Sequence, residues 1–252
     1  MAGVSGRDLT RFKLWYSQAG TPVLRVSDSY DAERHEYRLQ VAQSCPPTPG
    51  QPEKAPFVIP LAMGLLDEQG RELPLNLAGS EQPAESSTLV LEVDQERQEF
   101  VFTGVTSRPL PSLLRGFSAP VRLEYNYSRE QLAFLLAHDS DGFNRWEAGQ
   151  QLALQVFGQA LAQHQAGSEL EFDPQLAEAF SLVLADTQLE PALKAEIISL
   201  PGLTWLLEQQ ETMDVSGSYR VREALRLHLA QQLADRLLPL YLELREQSRR
   251  TP

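Results

Sequence analysis

The sequence is short of the residues from which metal sites, disulfides and nucleic-acid surfaces are built. Its 252 residues include one cysteine, Cys45, and four histidines. A single cysteine excludes an internal disulfide and any metal site that needs several cysteines. Lys and Arg number 22 against 34 Asp and Glu, a formal net charge of −12. This acidity argues against a nucleic-acid partner and against an anionic membrane surface, because both attract clustered positive charge.

Long apolar runs are missing as well. No stretch approaches the roughly 20 apolar residues that cross a bilayer, so we expect no membrane partner. Residues 1–6 carry neither the basic region nor the apolar segment of a secretory signal peptide. Together with the single cysteine, which suits a reducing compartment, these features predict a cytoplasmic protein.

The first half of the chain has the pattern of short β-strands. Alternation of apolar and polar residues places one face of a strand on a core and the other in water. Turn-forming residues such as Pro, Gly and Asp separate the alternating segments. We therefore predict an antiparallel, Ig-like β-sandwich of about seven or eight strands for residues 1–126. The alternating segments are residues 21–27, 36–43, 89–93, 99–105 and 121–127.

After residue 126 the periodicity becomes that of helices. Capping residues, or prolines at the first helical position, mark the predicted helix starts. The last predicted helix carries an apolar stripe from Leu225 to Tyr241. The predicted starts are Ser128, Asp141 or Asn144, Asp173 with Pro174, Pro191, Pro201 with Gly202, and the neighbourhood of Ser218.

This helical half, residues 127–252, is predicted to be an α-helical solenoid or a bundle of antiparallel helix pairs. The sequence contains no repeat of fixed period that would establish a solenoid. Its few helices and its apolar last helix favour the opening part of a longer HEAT/ARM-like domain. A small complete bundle is the alternative.

The pair His35-Glu36 is the one hint of a metal site. In the H-E-x-x-H motif of zinc peptidases, two histidines share one face of a helix. Here the second histidine position is occupied by Leu39. The surrounding residues alternate as in a strand, so the side chains of His35 and Glu36 point to opposite faces. We predict a solvated histidine and no zinc motif at this position.

The rest of the chain is equally poor in catalytic signals. His138, His164 and His228 have no second His or Cys at ligand spacing. Neither a phosphate-binding glycine loop nor a G-x-S-x-G elbow is present in the sequence. We therefore predict no catalytic, cofactor-binding or metal-binding residue in this chain.

One stretch carries more aromatic and charged character than a core requires. On a predicted helix, Phe143 and Trp146 fall three residues apart on one face, with Arg145 and Glu147 flanking them. Trp and Arg are enriched where protein surfaces dock, which makes these four residues candidate interface anchors. The alternative is that they anchor only the core of their own domain.

Several segments of the sequence are distinctive when taken together and in order. They are residues 15–22 (WYSQAGTP), 46–51, 57–60 (FVIP), 117–121 with 123–125, 143–148 (FNRWEA), 173–183, 191–193 with 195–197, and 221–225 (VREAL). In the same order, these segments resemble the bacterial aminopeptidase N family of zinc-dependent alanyl aminopeptidases, which are gluzincin metallopeptidases. The resemblance extends over nearly the whole chain.

The resemblance implies a zinc enzyme that removes N-terminal amino acids, alanine among them, from peptide substrates. The G-A-M-E-N and H-E-x-x-H stretches of that family are absent from this sequence. The chain therefore resembles only the sandwich domain and the start of the C-terminal helical domain, without zinc of its own. Its implied partners are the missing N-terminal and catalytic domains of the same chain.

The resemblance also implies a role for this part of the enzyme. We expect a structural spacer and the start of a helical cap over the active site, inactive by itself. A stand-alone protein-interaction module with no enzymatic parent is the alternative. An unrecognised hydrolase is a third hypothesis, although the sequence offers no cluster of titratable residues for it.

Overall fold

The computed structural model describes residues 6, 9–80 and 86–250, apart from the side chains of residues 248 and 250. The chain divides into two compact units, residues 1–127 and 128–252, which are described separately here. Residues 1–5, on which part of the signal-peptide prediction rests, lie outside the described residues. No helix in the described ranges combines the length and the apolar character needed to cross a membrane.

The first unit is a sandwich of two β-sheets. A five-stranded sheet has the order β4-β6-β2-β1-β8, and a three-stranded sheet has the order β5-β3-β7. The elements are helix α1 (Leu14–Ser17) and strands β1 (Val23–Asp31), β2 (Glu36–Ser44), β3 (Ile59–Leu66), β4 (Asn76–Leu77), β5 (Leu89–Val93), β6 (Arg97–Thr103), β7 (Leu110–Leu113) and β8 (Arg122–Glu124).

The strand pairings confirm the predicted antiparallel sandwich, with one difference. β8 runs parallel to the start of β1, where Leu24 lies opposite Leu123. The other pairings are antiparallel. Before β8 the chain leaves the three-stranded sheet through a 3₁₀ turn, Arg115–Phe117, and then joins the five-stranded sheet.

Alternation predicts β2 correctly because only one of its faces is covered. Tyr37, Leu39 and Val41 are at most 1% exposed, whereas the residues between them face outward. β3 breaks this rule, since both of its faces are covered and seven of its eight residues are buried. A strand covered on both sides reads as a continuous apolar run, so alternation does not reveal it.

The second unit is helical. Helix α3 packs against α2, α4, α5 and α7, and it buries Leu152, Val156 and Phe157. The helices are α2 (Arg129–His138), α3 (Gly142–Gln165), α4 (Pro174–Ala185), α5 (Pro191–Ile197), α6 (Leu203–Glu208), α7 (Val215–Gln232) and α8 (Ala234–Arg250).

The predicted N-caps of the first three long helices are confirmed. Ser128 forms a capping box, accepting a bond from the Gln131 amide at 3.2 Å while the Gln131 side chain accepts from the Ser128 amide at 2.9 Å. The Asp141 carboxylate accepts from the Asn144 amide at 2.9 Å. Asp173 caps α4, whose first residue is proline. These side chains satisfy amide groups that a helix leaves without partners at its start.

The last helix differs from its prediction. It was expected to begin near Ser218 and to run unbroken, but α7 begins at Val215. The Asp214 carboxylate caps it by accepting a hydrogen bond from the Gly217 amide at 2.9 Å. The helix is interrupted at Leu233, and α8 follows at a new start. Pro239 in α8 has no amide hydrogen and its ring crowds the carbonyl four residues earlier, which favours a distortion in this turn.

Candidate interface residues at the start of helix α3

The aromatic pair predicted as an interface anchor lies in the first two turns of α3. The rings of Phe143 and Trp146 are in contact, with centroids 5.7 Å apart and planes inclined by 44°. Both residues are half-buried, as is Glu147, whose carboxylate accepts a bond from the Gln151 side chain at 2.9 Å. The three side chains are thus partly fixed within the helical unit and partly accessible.

Arg145 has a different position from its three neighbours. It is 4% exposed, and its Nε donates to the carbonyl of Leu136 at 2.9 Å. Its two terminal nitrogens donate to the carbonyl of Ala137 at 3.1 Å and to Asp186 Oδ2 at 2.8 Å. Arg145 therefore connects the last turn of α2 and the end of α4 to α3, in the interior of the unit.

The end of α4 is electrostatically matched to two buried cations. The hydrogen bond from Arg145 holds the pKa of Asp186 below its usual range, and the charge of Lys194 acts in the same direction. Lys194 is 7% exposed and donates to the carbonyl of Leu184 at 3.1 Å. Cations at this position donate hydrogen bonds to the last carbonyls of the helix. They are stabilised by the negative end of the helix dipole.

His138 ends α2, and its surroundings do not favour the charged form. Partial burial lowers the pKa of His138, and the positive charge of Arg145 lowers it further. Although much of the residue is exposed, one side of the ring contacts Phe134, with centroids 4.7 Å apart. The histidine is therefore poorly suited to be the cation that a helix C-terminus attracts, a role that Arg145 fills instead.

The structure also locates the residues examined for zinc binding. His35 is exposed in the turn before β2, with a left-handed φ of 53°, and Glu36 accepts a bond from Arg38 at 2.7 Å. In the described parts of the chain, no three His, Cys, Asp or Glu residues are grouped so that they could hold a metal ion. These residues do not fit a zinc ion.

A polar cluster on the outer face of the three-stranded sheet was not predicted. Arg115 is 4% exposed and donates to Ser112 at 2.8 Å, to Glu72 at 2.7 Å and to Thr88 at 2.8 Å. Its guanidinium lies over Gly64, where an added Cβ would be 2.2 Å from Cζ. The only sequence signal was a glycine in an apolar strand, which often marks such a close approach.

Each of the two units matches a known family model. Residues 20–126 match DUF3458, a domain of unknown function with an Ig-like fold. Residues 129–252 match DUF3458_C, a domain of unknown function with ARM repeats. The two matches describe an Ig-like domain followed by ARM-repeat helices, and they confirm the predicted fold class.

Aminopeptidases match the chain over nearly its whole length. Aminopeptidase N of Escherichia coli (strain K12) is 43% identical over 96% of this chain and 27% of the relative. That of Haemophilus influenzae is 38% identical over 97% of this chain and 28% of the relative. The crystal structure of Legionella pneumophila aminopeptidase A in complex with aspartic acid superposes with a TM-score of 0.78 at 32% identity, covering 97% of this chain and 26% of that one.

These matches confirm the resemblance to aminopeptidase N. The chain is a homologue of one region of these proteins and spans about a quarter of the length of the relatives it matches.

Proposed function

We propose that this chain is the β-sandwich and the opening helical part of a zinc-dependent aminopeptidase. The longer protein would remove N-terminal amino acids, alanine among them, from peptides in the cytoplasm. The main support is the match to aminopeptidase N of E. coli. It extends over 96% of this chain at 43% identity, but over only 27% of that relative. The zinc ion and the reacting groups would then belong to the part of the protein outside this chain.

Within that protein, this chain would have a structural role. The sandwich would act as a spacer, and the helical unit would begin a cap over the active site. The match of the helical unit to ARM repeats supports this role, because each such repeat is stabilised by stacking on its neighbours. Helix α8 has the surface expected of an internal repeat, since Leu238 is 60% and Tyr241 59% exposed.

The partners would be the N-terminal and catalytic domains of the same chain. Phe143, Trp146 and Glu147 are proposed as anchors for such a contact, because an aromatic pair held by its own helix adds contact area with little loss of side-chain freedom. Arg145 is assigned a supporting role, in which it holds the start of α3 against α2 and α4.

Hydrolysis of a chromogenic alanyl substrate in the presence of zinc tests the proposal. The assay compares this chain alone, E. coli aminopeptidase N lacking the region matched here, and a mixture of the two. We expect no activity from this chain alone and higher or longer-lasting activity in the mixture. Activity from this chain alone would instead identify an unrecognised hydrolase. A mixture no better than the shortened enzyme would favour a stand-alone interaction module.

A matched pair of variants tests the proposed anchors in the same mixture. Trp146→Ala removes the half-buried ring, and Trp205→Ala removes a ring on α6 that is 39% exposed. Truncating an interface anchor weakens binding by about 2 kcal/mol or more, roughly 30-fold. We expect Trp146→Ala alone to raise the concentration of this chain needed for half-maximal effect. Equal effects of the two variants, with folding verified by circular dichroism, would contradict the assignment.

A further inference from the structure

The sandwich contains a buried tyrosine whose hydroxyl is not explained by packing. Tyr37 is 0% exposed on the inner face of β2, opposite Phe102 of β6, with ring centroids 6.3 Å apart. Phe102 is equally buried and fills its place without a hydroxyl. Among the residues that the structure describes, the Tyr37 hydroxyl has no hydrogen-bond partner. Folded proteins rarely leave such a group unsatisfied, since burying it without a partner is unfavourable.

A carboxylate lies on the same inner face of the sheet as Tyr37. The register of β1 and β2 places Asp28 opposite Leu39, two residues from Tyr37 on the same inner face. Such diagonal neighbours lie about 7–8 Å apart, a separation that an aromatic side chain can bridge. Asp28 Oδ1 accepts a bond from the Tyr125 hydroxyl at 2.6 Å, and Oδ2 accepts from Arg108 at 3.3 Å. The Asp28 side chain is 9% exposed.

The protonation states of these groups suit a further hydrogen bond. Burial raises the pKa of Tyr37, and the negative charge of Asp28 raises it further. Burial also raises the pKa of Tyr125, together with its hydrogen bond to Asp28. Both phenols therefore keep their hydrogens at neutral pH. A carboxylate accepts about four hydrogen bonds, so Asp28 retains acceptor capacity beside the two bonds it receives.

We propose that an ordered water molecule is bound inside the sandwich between the Tyr37 hydroxyl and the Asp28 carboxylate. The hydroxyl donates to the water, and the water donates to a carboxylate oxygen. Buried waters occupy sites of this kind, where polar groups face each other without a direct bond. The water would link β2 to Tyr125, near the end of the sandwich unit.

Thermal unfolding of two matched variants tests the proposal. Tyr37→Phe would remove the donor to the water. Tyr30→Phe removes a hydroxyl that bonds directly to the carbonyl of Val105 at 3.1 Å, and it serves as the reference. We expect both variants to lower the Tm of the sandwich by about 4 °C or more, as for one lost hydrogen bond in a domain of this size. An unchanged or raised Tm for Tyr37→Phe would overturn the proposal.

A high-resolution crystal structure of the same chain provides the direct readout. We expect a water peak about 2.7–3.2 Å from both the Tyr37 hydroxyl and an Asp28 oxygen, absent in Tyr37→Phe. A protein atom bonded to the hydroxyl, or a dry site beside it, would overturn the assignment.

Discussion

Replacing Arg145 with methionine tests how the helical unit is held together. Methionine keeps an unbranched side chain of similar length but removes every donor. The side chain is 5% exposed, so water does not readily replace the lost bonds. The carbonyls of Leu136 and Ala137 lose their donors, and Asp186 loses its partner at 2.8 Å.

The expected magnitude follows from these three bonds. Breaking a buried ion pair by removing one partner destabilises a protein by about 3–5 kcal/mol. A buried acceptor left without a donor contributes about 1–3 kcal/mol, although these effects overlap at one site. Asp186 is 26% exposed and recovers part of its hydration. We therefore expect the free energy of unfolding to fall by about 4 kcal/mol, near the middle of the range for a broken buried pair.

Urea unfolding followed by far-UV circular dichroism measures this change, because the helical signal reports mainly on residues 128–252. The control is Arg226→Met, which removes an arginine that is 63% exposed and pairs with Glu223 at 2.7 Å. An exposed pair of this kind contributes about 0.5 kcal/mol or less. Similar small losses for Arg145→Met and Arg226→Met would refute the assignment of Arg145 as a buried link between helices.

The remaining predictions concern the outer face of the sandwich and the acid stability of the helical unit. Gly64→Ala should destabilise the sandwich by about 1–3 kcal/mol, because its Cβ would lie 2.2 Å from the Arg115 guanidinium carbon. Gly158→Ala, in α3 with nothing within 4 Å, should instead stabilise the protein by about 0.5–1 kcal/mol in the same urea titration. The pKa of Asp186 is lowered in the folded state, so its contribution should be present above about pH 4 and lost as the pH falls through the lowered pKa. Unfolding titrations across this range should show a weaker acid dependence in Arg145→Met, and an identical dependence would count against the pairing.

The predictability of the sandwich depended on how many faces of each strand are covered. β2 alternates because its outer face is solvated, and the predicted alternation of residues 36–43 agrees with the burial of Tyr37, Leu39 and Val41. β3 could not be recognised by alternation, since Arg115 covers its outer face at Gly64. That cover depends on a loop from elsewhere in the chain, which local periodicity does not encode.

The starts of α2, α3 and α4 were predictable because their signals are local. A capping side chain and the amide that it satisfies lie within three residues of each other, as Ser128 and Gln131 do. The break at Leu233 was missed because the apolar stripe continues across it.

The arrangement of the candidate interface residues could be predicted only in part from the sequence. The helical spacing of Phe143 and Trp146 predicted that they share one face of the helix, and their rings are in contact. The burial of Arg145 was not predictable, because its partners come from the ends of α2 and α4 and meet only in the folded unit. The same limit applies to Tyr37 and Asp28, which cross-strand register brings together.

The most direct test of the central claim is a chimeric enzyme. In it, this chain replaces the region of E. coli aminopeptidase N that it matches, 27% of that protein. The initial rate of alanyl substrate hydrolysis would be compared with the intact enzyme and with the enzyme lacking the region. The account predicts that the chimera recovers activity that the shortened enzyme has lost. A chimera that is folded and loaded with zinc yet no more active than the shortened enzyme would contradict it.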